Sequence, residues 1–188
     1  DNGPAHGEEK NVIVSKFEQN LSGVIVEMAL KLGLNHAPLS LNYPCASLGR
    51  MLGVADDPQA LQPALDAFFA TRKDLFGAAE AVPHEDGFCL TIPAEGVARV
   101  VAQAPAAAFL RDLIQTAQTP GATADDLLAA FRRHSDRVHV EPAGNDEFDL
   151  LVYFEDGVPD DFRYCIDQHD GFASYHRFSR EDYEAFGF

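Results

Sequence analysis

The fold is decided by residues 148–178, which read FDLLVYFEDGVPDDFRYCIDQHDGFASYHRF. Apolar residues recur there at every second position in the runs 148–154 and 162–166, and a third run, 172–178, has Phe at both ends with Ser174 and His176 at the alternate positions between them. Such alternation is typical of β-strands that bury one face. Glycine-containing turns at 155–157 and 170–171 separate the runs, and the short apolar run Val138–Val140 precedes them. Because tight turns join neighbouring antiparallel strands, the sequence predicts a four-stranded antiparallel meander.

The first 135 residues mainly predict helices. Apolar residues at three- or four-residue spacing from Ile13 to Leu32 indicate a first helix that ends at Gly33. Asp57 followed by Pro58 is typical of a helix start, and we expect this helix to continue to Phe76. Further helices are predicted near 47–52, where Gly53 ends the helix, and near 93–101, 106–117 and 180–186. One more is predicted near 124–131, begun by a capping box of Thr123 and Asp126.

Two upstream segments lack the helical period. Asn35–Pro44 is predicted to be a connector. Residues 82–92 alternate with a period of two and predict a hairpin whose turn is Asp86-Gly87.

The apolar faces of the late strands need cover, and only the upstream amphipathic helices can provide it. We therefore predict an α+β fold in which a mostly helical N-terminal two-thirds packs on a C-terminal antiparallel β-meander. No repeat or low-complexity linker divides the chain, so residues 9–188 are predicted to form a single domain. Residues 1–8 are small and polar, and we expect them to be disordered.

The charge balance narrows the class of partner. The chain has 14 Lys and Arg against 30 Asp and Glu, a formal net charge of −16, which repels nucleic acid and anionic membranes. Between Glu141 and Asp161 there are eight acidic residues and no basic one. This run is either a well-solvated surface or a recognition surface for a basic protein partner or a cation, and both interpretations stay open here.

Cysteine usage favours a reducing compartment. Cys45, Cys89 and Cys165 are odd in number and widely spaced, and each lies among apolar residues. The first 20 residues include Glu8, Glu9 and Glu18 and show no apolar segment typical of a signal peptide. We expect a cytoplasmic protein.

Candidate binding residues lie on the face of the predicted meander opposite Phe148, Leu150 and Val152. Strand alternation sorts polar side chains to that face. They are Asp149, Tyr153, Arg163, Asp167 and His176. The set forms either cross-strand ion pairs on a solvated face, with Asp149, Arg163 and Asp167 clustered, or a functional patch that binds a ligand or partner.

Local catalytic and metal-binding motifs are missing from the sequence. There is no phosphate-binding glycine loop, no dinucleotide-binding motif, no zinc-protease motif and no serine-nucleophile motif. Asp167, His169 and Asp170 are ligand-type residues, but no second cluster accompanies them, so neither a metal nor a cofactor is predicted. No catalytic residue is assigned.

Two classes of function remain. The first is a non-enzymatic binding protein that uses its acidic surface. The alternative is a small hydrolase-like enzyme with a site between the C-terminal sheet and the helices, using Tyr153, Asp167 and His176.

Several longer strings resemble an uncharacterised bacterial family of unknown function. They are Leu39–Pro44 with Ser47 and Leu48, Phe88–Gly96, Phe148–Gly157 with Asp160–Cys165, and Tyr175–Phe188. The resemblance spans nearly the whole chain from about residue 11. It implies a bacterial intracellular domain and brings no activity, cofactor or site residue with it.

Overall fold

A computed structural model describes the backbone of residues 5–33 and 36–186 and the side chains of residues 16–33 and 36–185. The fold is α+β, with eight helices and two antiparallel sheets in the described ranges, and the helices are mostly N-terminal. The chain divides into two compact units, Asp1–Ala104 and Pro105–Phe188. That residues 9–188 form one domain stays a prediction. Of the segment expected to be disordered, residues 1–4 lie outside the described residues, and residues 5–8 belong to the first helix.

The N-terminal unit contains five helices and a three-stranded sheet. Its elements are α1 (Ala5–Lys31), β1 (Leu39–Pro44), α2 (Cys45–Leu52), α3 (Pro58–Thr71), α4 (Lys73–Phe76), β2 (Glu80–His84), β3 (Gly87–Ile92) and α5 (Ala94–Gln103). The predicted helix ends at Gly33 and Gly53 are confirmed, because both glycines have positive φ just after α1 and α2.

The predicted connector before α2 is wrong. Leu39–Pro44 is strand β1, which pairs antiparallel with β3 and buries Leu39, Leu41 and Tyr43 on alternate positions. The strand has only six residues and ends in proline, so its alternation is a weak signal in the sequence. Residues 34–35 lie outside the described part of the chain.

The predicted hairpin is confirmed, but its turn is one residue earlier. His84 pairs with Gly87, so Glu85 and Asp86 form the loop, and Glu85 takes the positive φ. Gly87 is the first residue of strand β3, and β1 passes so close to it that a side chain would not fit. A Cβ on Gly87 would lie 2.1 Å from the carbonyl oxygen of Tyr43.

The helix predicted from Asp57 to Phe76 is interrupted at Arg72, which separates α3 from α4. Its start is as predicted, since Asp57 accepts a hydrogen bond of 2.9 Å from the amide of Ala60. The break lets Phe76 turn back into the aromatic core, where its ring lies 6.0 Å from that of Phe69. The core of this unit also contains Phe17 and Phe68.

The C-terminal unit is the predicted meander with three helices. Its elements are α6 (Ala107–Gln118), α7 (Ala124–His134), β4 (Val138–Pro142), β5 (Leu150–Phe154), β6 (Arg163–His169), β7 (Phe172–Phe178) and α8 (Arg180–Phe186). The strand order is β4-β5-β6-β7, all antiparallel. Thr123 and Asp126 form the predicted capping box of α7.

Helices α6 and α7 cover one face of this meander, here called the inner face. The rings of Phe109 and Phe131 lie 4.9 and 5.4 Å from that of Phe154. The same two rings lie 5.7 and 5.0 Å from that of Tyr164. All four residues are almost completely buried, so this aromatic cluster is the core of the unit.

Phe148 is an exception to the predicted alternation. The strand begins only at Leu150, and Phe148 packs with Leu151 and Cys165 on the opposite face of the sheet. The amide groups of Glu147 and Phe148 both donate to the side chain of Asn145, which curls the chain before the strand starts. This local turn breaks the period of two, so Phe148 reaches the face that the alternation assigns to polar residues.

Among the described residues, no helix combines the length and the apolar character that a membrane crossing requires.

Candidate functional site

The face of the meander turned away from α6 and α7, here called the outer face, carries the predicted binding residues. The strand register places Cys165 opposite His176, and Asp167 opposite Ser174. Leu151 lies opposite Cys165, which puts Tyr153 on the same face two residues further on. Asp149 immediately precedes β5 at the edge of this face.

The predicted ion-pair cluster of Asp149, Arg163 and Asp167 is wrong for the described side chains. Asp149 instead accepts a hydrogen bond of 2.9 Å from the amide of Gln168. Asp167 Oδ1 lies 3.0 Å from Nε2 of His169. The spacing explains the result, because Arg163 and Asp167 are four residues apart on β6, about 13 Å along an extended strand.

Arg163 belongs to a stack at one end of the outer face. Its guanidinium carbon lies 3.9 Å from the centre of the Tyr153 ring, a cation–π contact. On its other side Tyr153 stacks on His139, with ring centres 4.8 Å apart and planes at 28°. The Nε2 atom of His139 lies 2.9 Å from a carboxylate oxygen of Glu141. Tyr153 and Arg163 are therefore brought together, and His139 and Glu141 join them from the edge strand.

The middle of the outer face is closed by a small apolar cluster. Phe148, Leu151 and Cys165 are buried there, with Tyr183 of α8 and Phe178 packed against them. The ring of His176 lies 5.1 Å from that of Phe148, and His176 is exposed at the margin. Since apolar side chains separate His176 from Tyr153, the five predicted residues share a face without forming one pocket.

Burial raises the pKa of Cys165 to about 11, with the Glu147 carboxylate adding to the shift. We expect iodoacetamide at pH 8 to modify half-exposed Cys45 and Cys89 in the folded protein and to leave Cys165 at least tenfold slower. Peptide mass spectrometry over time measures the three rates. In denaturant all three cysteines should react alike. Equal reactivity in the folded protein would show that the outer face is open.

A buried polar network that the sequence did not reveal lies on the inner side of the same sheet. The Arg177 side chain is 1% exposed and Asp160 is 6% exposed. Arg177 donates to Asp160 through Nη2 at 3.1 Å and through Nε at 3.2 Å. The Tyr164 hydroxyl donates to Asp160 and accepts from Arg177 Nε at 2.9 Å.

Packing holds this network in place. The Arg177 guanidinium carbon lies 3.8 Å from the centre of the Phe162 ring. Burial raises the pKa of Tyr164 well above its ordinary value, so its hydroxyl stays protonated and available as a donor. The network ties the loop 155–162 to strand β7. The sequence contains only a weak indication of this network, namely that Arg177 shares a strand face with Tyr175, the face that α6 and α7 cover.

A second polar cluster joins α6 to α7. Asp112 accepts two hydrogen bonds from Arg133, of 2.8 and 2.9 Å, and its Oδ2 lies 2.9 Å from Nε2 of His134. The hydrogen bond from Arg133 lowers the pKa of Asp112 most, and His134 lowers it further. The arrangement ties two helices together. Thr116 donates its hydroxyl proton to the Asp112 backbone carbonyl at 2.7 Å, so it is held as a helix residue and is not aimed at His134.

The acidic run is almost entirely exposed. Of its eight carboxylates only Asp160 is buried, and the exposed ones are Glu141, Asp146, Glu147, Asp149, Glu155, Asp156 and Asp161. They fall in two groups, one around the β4–β5 loop and one in the β5–β6 loop. Those loops lie at opposite ends of β5, whose five residues span about 17 Å. Arg137 lies 4.0 Å from Asp156 in the second group, and His139 lies 2.9 Å from Glu141 in the first.

Two further kinds of site were considered in the sequence, a metal site and a hydrolase site, and the structure places their residues as follows. Among residues 16–33 and 36–185, no group of three or more His, Cys, Asp and Glu side chains is arranged to hold a metal ion. The residues of the predicted hydrolase site, Tyr153, Asp167 and His176, lie on the outer face. That face is turned away from α6 and α7, but Tyr183 of α8 packs against it, so a site between the sheet and the helices stays a prediction.

Fold and site together define an α+β protein whose C-terminal meander has α6 and α7 on one face and, on the other, a mixed polar and apolar surface against which Tyr183 of α8 packs. The family model described as "Domain of unknown function, E. rectale Gene description (DUF3877)" matches residues 14–187. The chain belongs to this family, which confirms the resemblance stated above. Searches of curated proteins and of solved structures found no match.

Proposed function

We propose that this chain is a non-enzymatic cytoplasmic binding protein whose C-terminal unit recognises a basic protein partner. The observation that supports the proposal is the exposure of seven carboxylates between Glu141 and Asp161, a run that contains no lysine or arginine. Like charges this dense repel one another and weaken the fold unless something offsets them. Binding a cationic partner would offset that repulsion.

Electrostatics of this kind would act mainly on the rate of encounter. Exposed charges attract an oppositely charged partner over a distance of about 10 Å at moderate salt. Such steering raises association rates by roughly 10- to 1000-fold and falls steeply as salt is added. A binding protein of this type needs no pocket, which agrees with an outer face closed by Phe148 and Tyr183.

A hydrolase-like enzyme is less well supported. Asp167 lies against His169, and His176 packs against Phe148. Among the described side chains no carboxylate is bonded to His176, whereas a general base needs such a partner to orient it. The Asp112–His134 pair has the right residue types, but the Thr116 hydroxyl beside Asp112 donates to a backbone carbonyl.

Two charge-neutralised variants test the proposal. The first changes Asp146, Glu147, Glu155 and Asp156 to the corresponding amides. The second changes four exposed acids of the N-terminal unit in the same way, namely Asp56, Asp66, Glu80 and Glu85. Both raise the formal net charge from −16 to −12, so they differ only in where the charge is removed.

The probe is a twelve-residue peptide with a repeating Lys-Val-Lys-Thr sequence, and binding is measured by fluorescence anisotropy at 50 and 500 mM NaCl. We expect the C-terminal quartet to weaken binding at low salt at least tenfold and the N-terminal quartet by less than threefold. High salt should abolish binding to the unmodified protein. Equal losses in both quartets, or no binding by the unmodified protein, would contradict the proposal.

A further inference from the structure

Strand β4 is an edge strand of the C-terminal sheet. It pairs with β5 on one side, and among the described residues no strand pairs with its other side. Edge strands expose unpaired backbone donors and acceptors that another chain can use.

Two hydrogen bonds settle the direction of the backbone groups. The amide of Glu155 donates to the Arg137 carbonyl at 2.8 Å, and the amide of Ala143 donates to the Asp149 carbonyl at 3.0 Å. Hydrogen-bonded positions alternate in an antiparallel pair, so odd-numbered residues of β4 face β5. The amide and carbonyl groups of Val138 and Val140 therefore point to the open edge.

Pro142 limits how far another strand can pair along the open edge. Pro142 shares the outward parity of Val138 and Val140, but it has no N–H to donate. An added strand could thus pair along Val138–Val140, donate a last hydrogen bond to the Pro142 carbonyl, and go no further in register. The edge is short and bounded.

Side chains along this edge sort by face. Val138 and Val140 lie opposite Phe154 and Val152 on the inner face, and both are half-buried. His139 and Glu141 lie on the outer face, where the Glu141 side chain is 49% exposed. An added strand would therefore meet apolar side chains on one of its faces and a carboxylate on the other.

Both ends of the edge are acidic. The β5–β6 loop with Glu155 lies at the start of β4, where Glu155 is bonded to Arg137. The β4–β5 loop with Asp146 and Glu147 follows its end. A second copy of this chain would bring four such acidic loops together across the edge, which like-charge repulsion opposes. A basic segment would neutralise them.

We propose that the open edge of β4 receives an extended segment of the basic partner as a fifth strand, with cationic and apolar residues alternating along it. Backbone hydrogen bonds to Val138 and Val140 supply the affinity, and Glu141 with the two acidic loops selects the cationic side chains. This inference rests on the proposed function and adds to it the conformation in which the partner binds.

A chemically altered peptide separates strand pairing from charge attraction. The probe is the Lys-Val-Lys-Thr peptide of the previous test, compared with the same peptide N-methylated at its six central residues. N-methylation removes the amide donors on both edges of the peptide and leaves its charge unchanged. We expect N-methylation to weaken binding at 50 mM NaCl at least tenfold.

Two measurements on the protein complete the test. Val140→Pro removes one outward donor and leaves the bonds to β5 in place, and Val140→Ala is its control. We expect a loss of at least fivefold for V140P and less than twofold for V140A. In hydrogen exchange, saturating peptide should slow the Val138 and Val140 amides at least tenfold and leave the already bonded His139 and Glu141 amides unchanged.

The outcomes separate the two proposals. If both peptides bind the protein equally and Val138 and Val140 exchange no more slowly with peptide, the strand-addition proposal is wrong and acidic recognition stands. If neither peptide binds, both proposals are wrong. If V140P fails to fold, as circular dichroism would show, the peptide pair and the exchange data decide.

Discussion

Replacing Arg177 by methionine is expected to lower the free energy of unfolding of the C-terminal unit by about 3–5 kcal/mol. The reason is the burial of both partners. Asp160 is 6% exposed and would lose both of its hydrogen bonds from Arg177, keeping only the one from Tyr164. A buried carboxylate without its cation costs far more than an exposed ion pair contributes.

The measurement is urea denaturation followed by tyrosine fluorescence. Four of the five tyrosines, Tyr153, Tyr164, Tyr175 and Tyr183, belong to the C-terminal unit, so this signal reports mainly on that unit. Arg132→Met is the matched control, because Arg132 is exposed, and it should change stability by less than about 0.5 kcal/mol.

A double-mutant cycle sharpens the result. Asp160→Asn alone should also be destabilising, since it leaves the Arg177 charge buried. Combining it with Arg177→Met should cost clearly less than the sum of the two single changes, because the double variant buries no unpaired charge. Additive losses, or a loss below 1 kcal/mol for R177M, would show that the pair is not buried in solution.

The second large effect is expected at Gly96 in α5. A Cβ at this position would lie 2.1 Å from the carbonyl oxygen of Phe76 and 2.6 Å from its carbonyl carbon. Both atoms are backbone, so neither can rotate away. We expect Gly96→Ala to destabilise the N-terminal unit by about 3 kcal/mol or more, through displacement of α5 from the end of α4.

The sign of this effect makes the test decisive. Glycine-to-alanine changes inside a helix usually add about 0.5–1 kcal/mol of stability. Thermal unfolding followed by circular dichroism compares G96A with Ala98→Gly, an exposed position in the same helix, where a loss of about 1 kcal/mol is expected. Stabilisation by G96A would mean that α5 and α4 are not in close contact.

The parts of the fold that follow from local periodicity were predictable. The meander, the α7 capping box and the helix start at Asp57 each depend on residues within one or two turns of each other. Strand β1 was missed because its six residues are short and end in Pro44. Only its pairing with β3, fifty residues away, reveals it as a strand.

For the candidate site too, local alternation was predictive and contacts between distant residues were not. Alternation alone placed Tyr153, Arg163 and Asp167 on one face, as the register has them. Only the pairing of β6 with β7 shows that His176 shares that face. It could not show that a side-chain turn at Asn145 brings Phe148 onto that face. Nor could it show that Asp160 is buried, since an acidic residue after a proline gives no sign of a distant arginine.

Tyr183 comes late in the chain, and the small cluster that it covers comes earlier. During translation the ribosome therefore releases Leu151 and Cys165 before their cover exists, whereas every element of the N-terminal unit has already emerged. For that interval the nascent chain carries an exposed apolar patch, which is the kind of surface that chaperones bind and that makes crowded chains stick to one another.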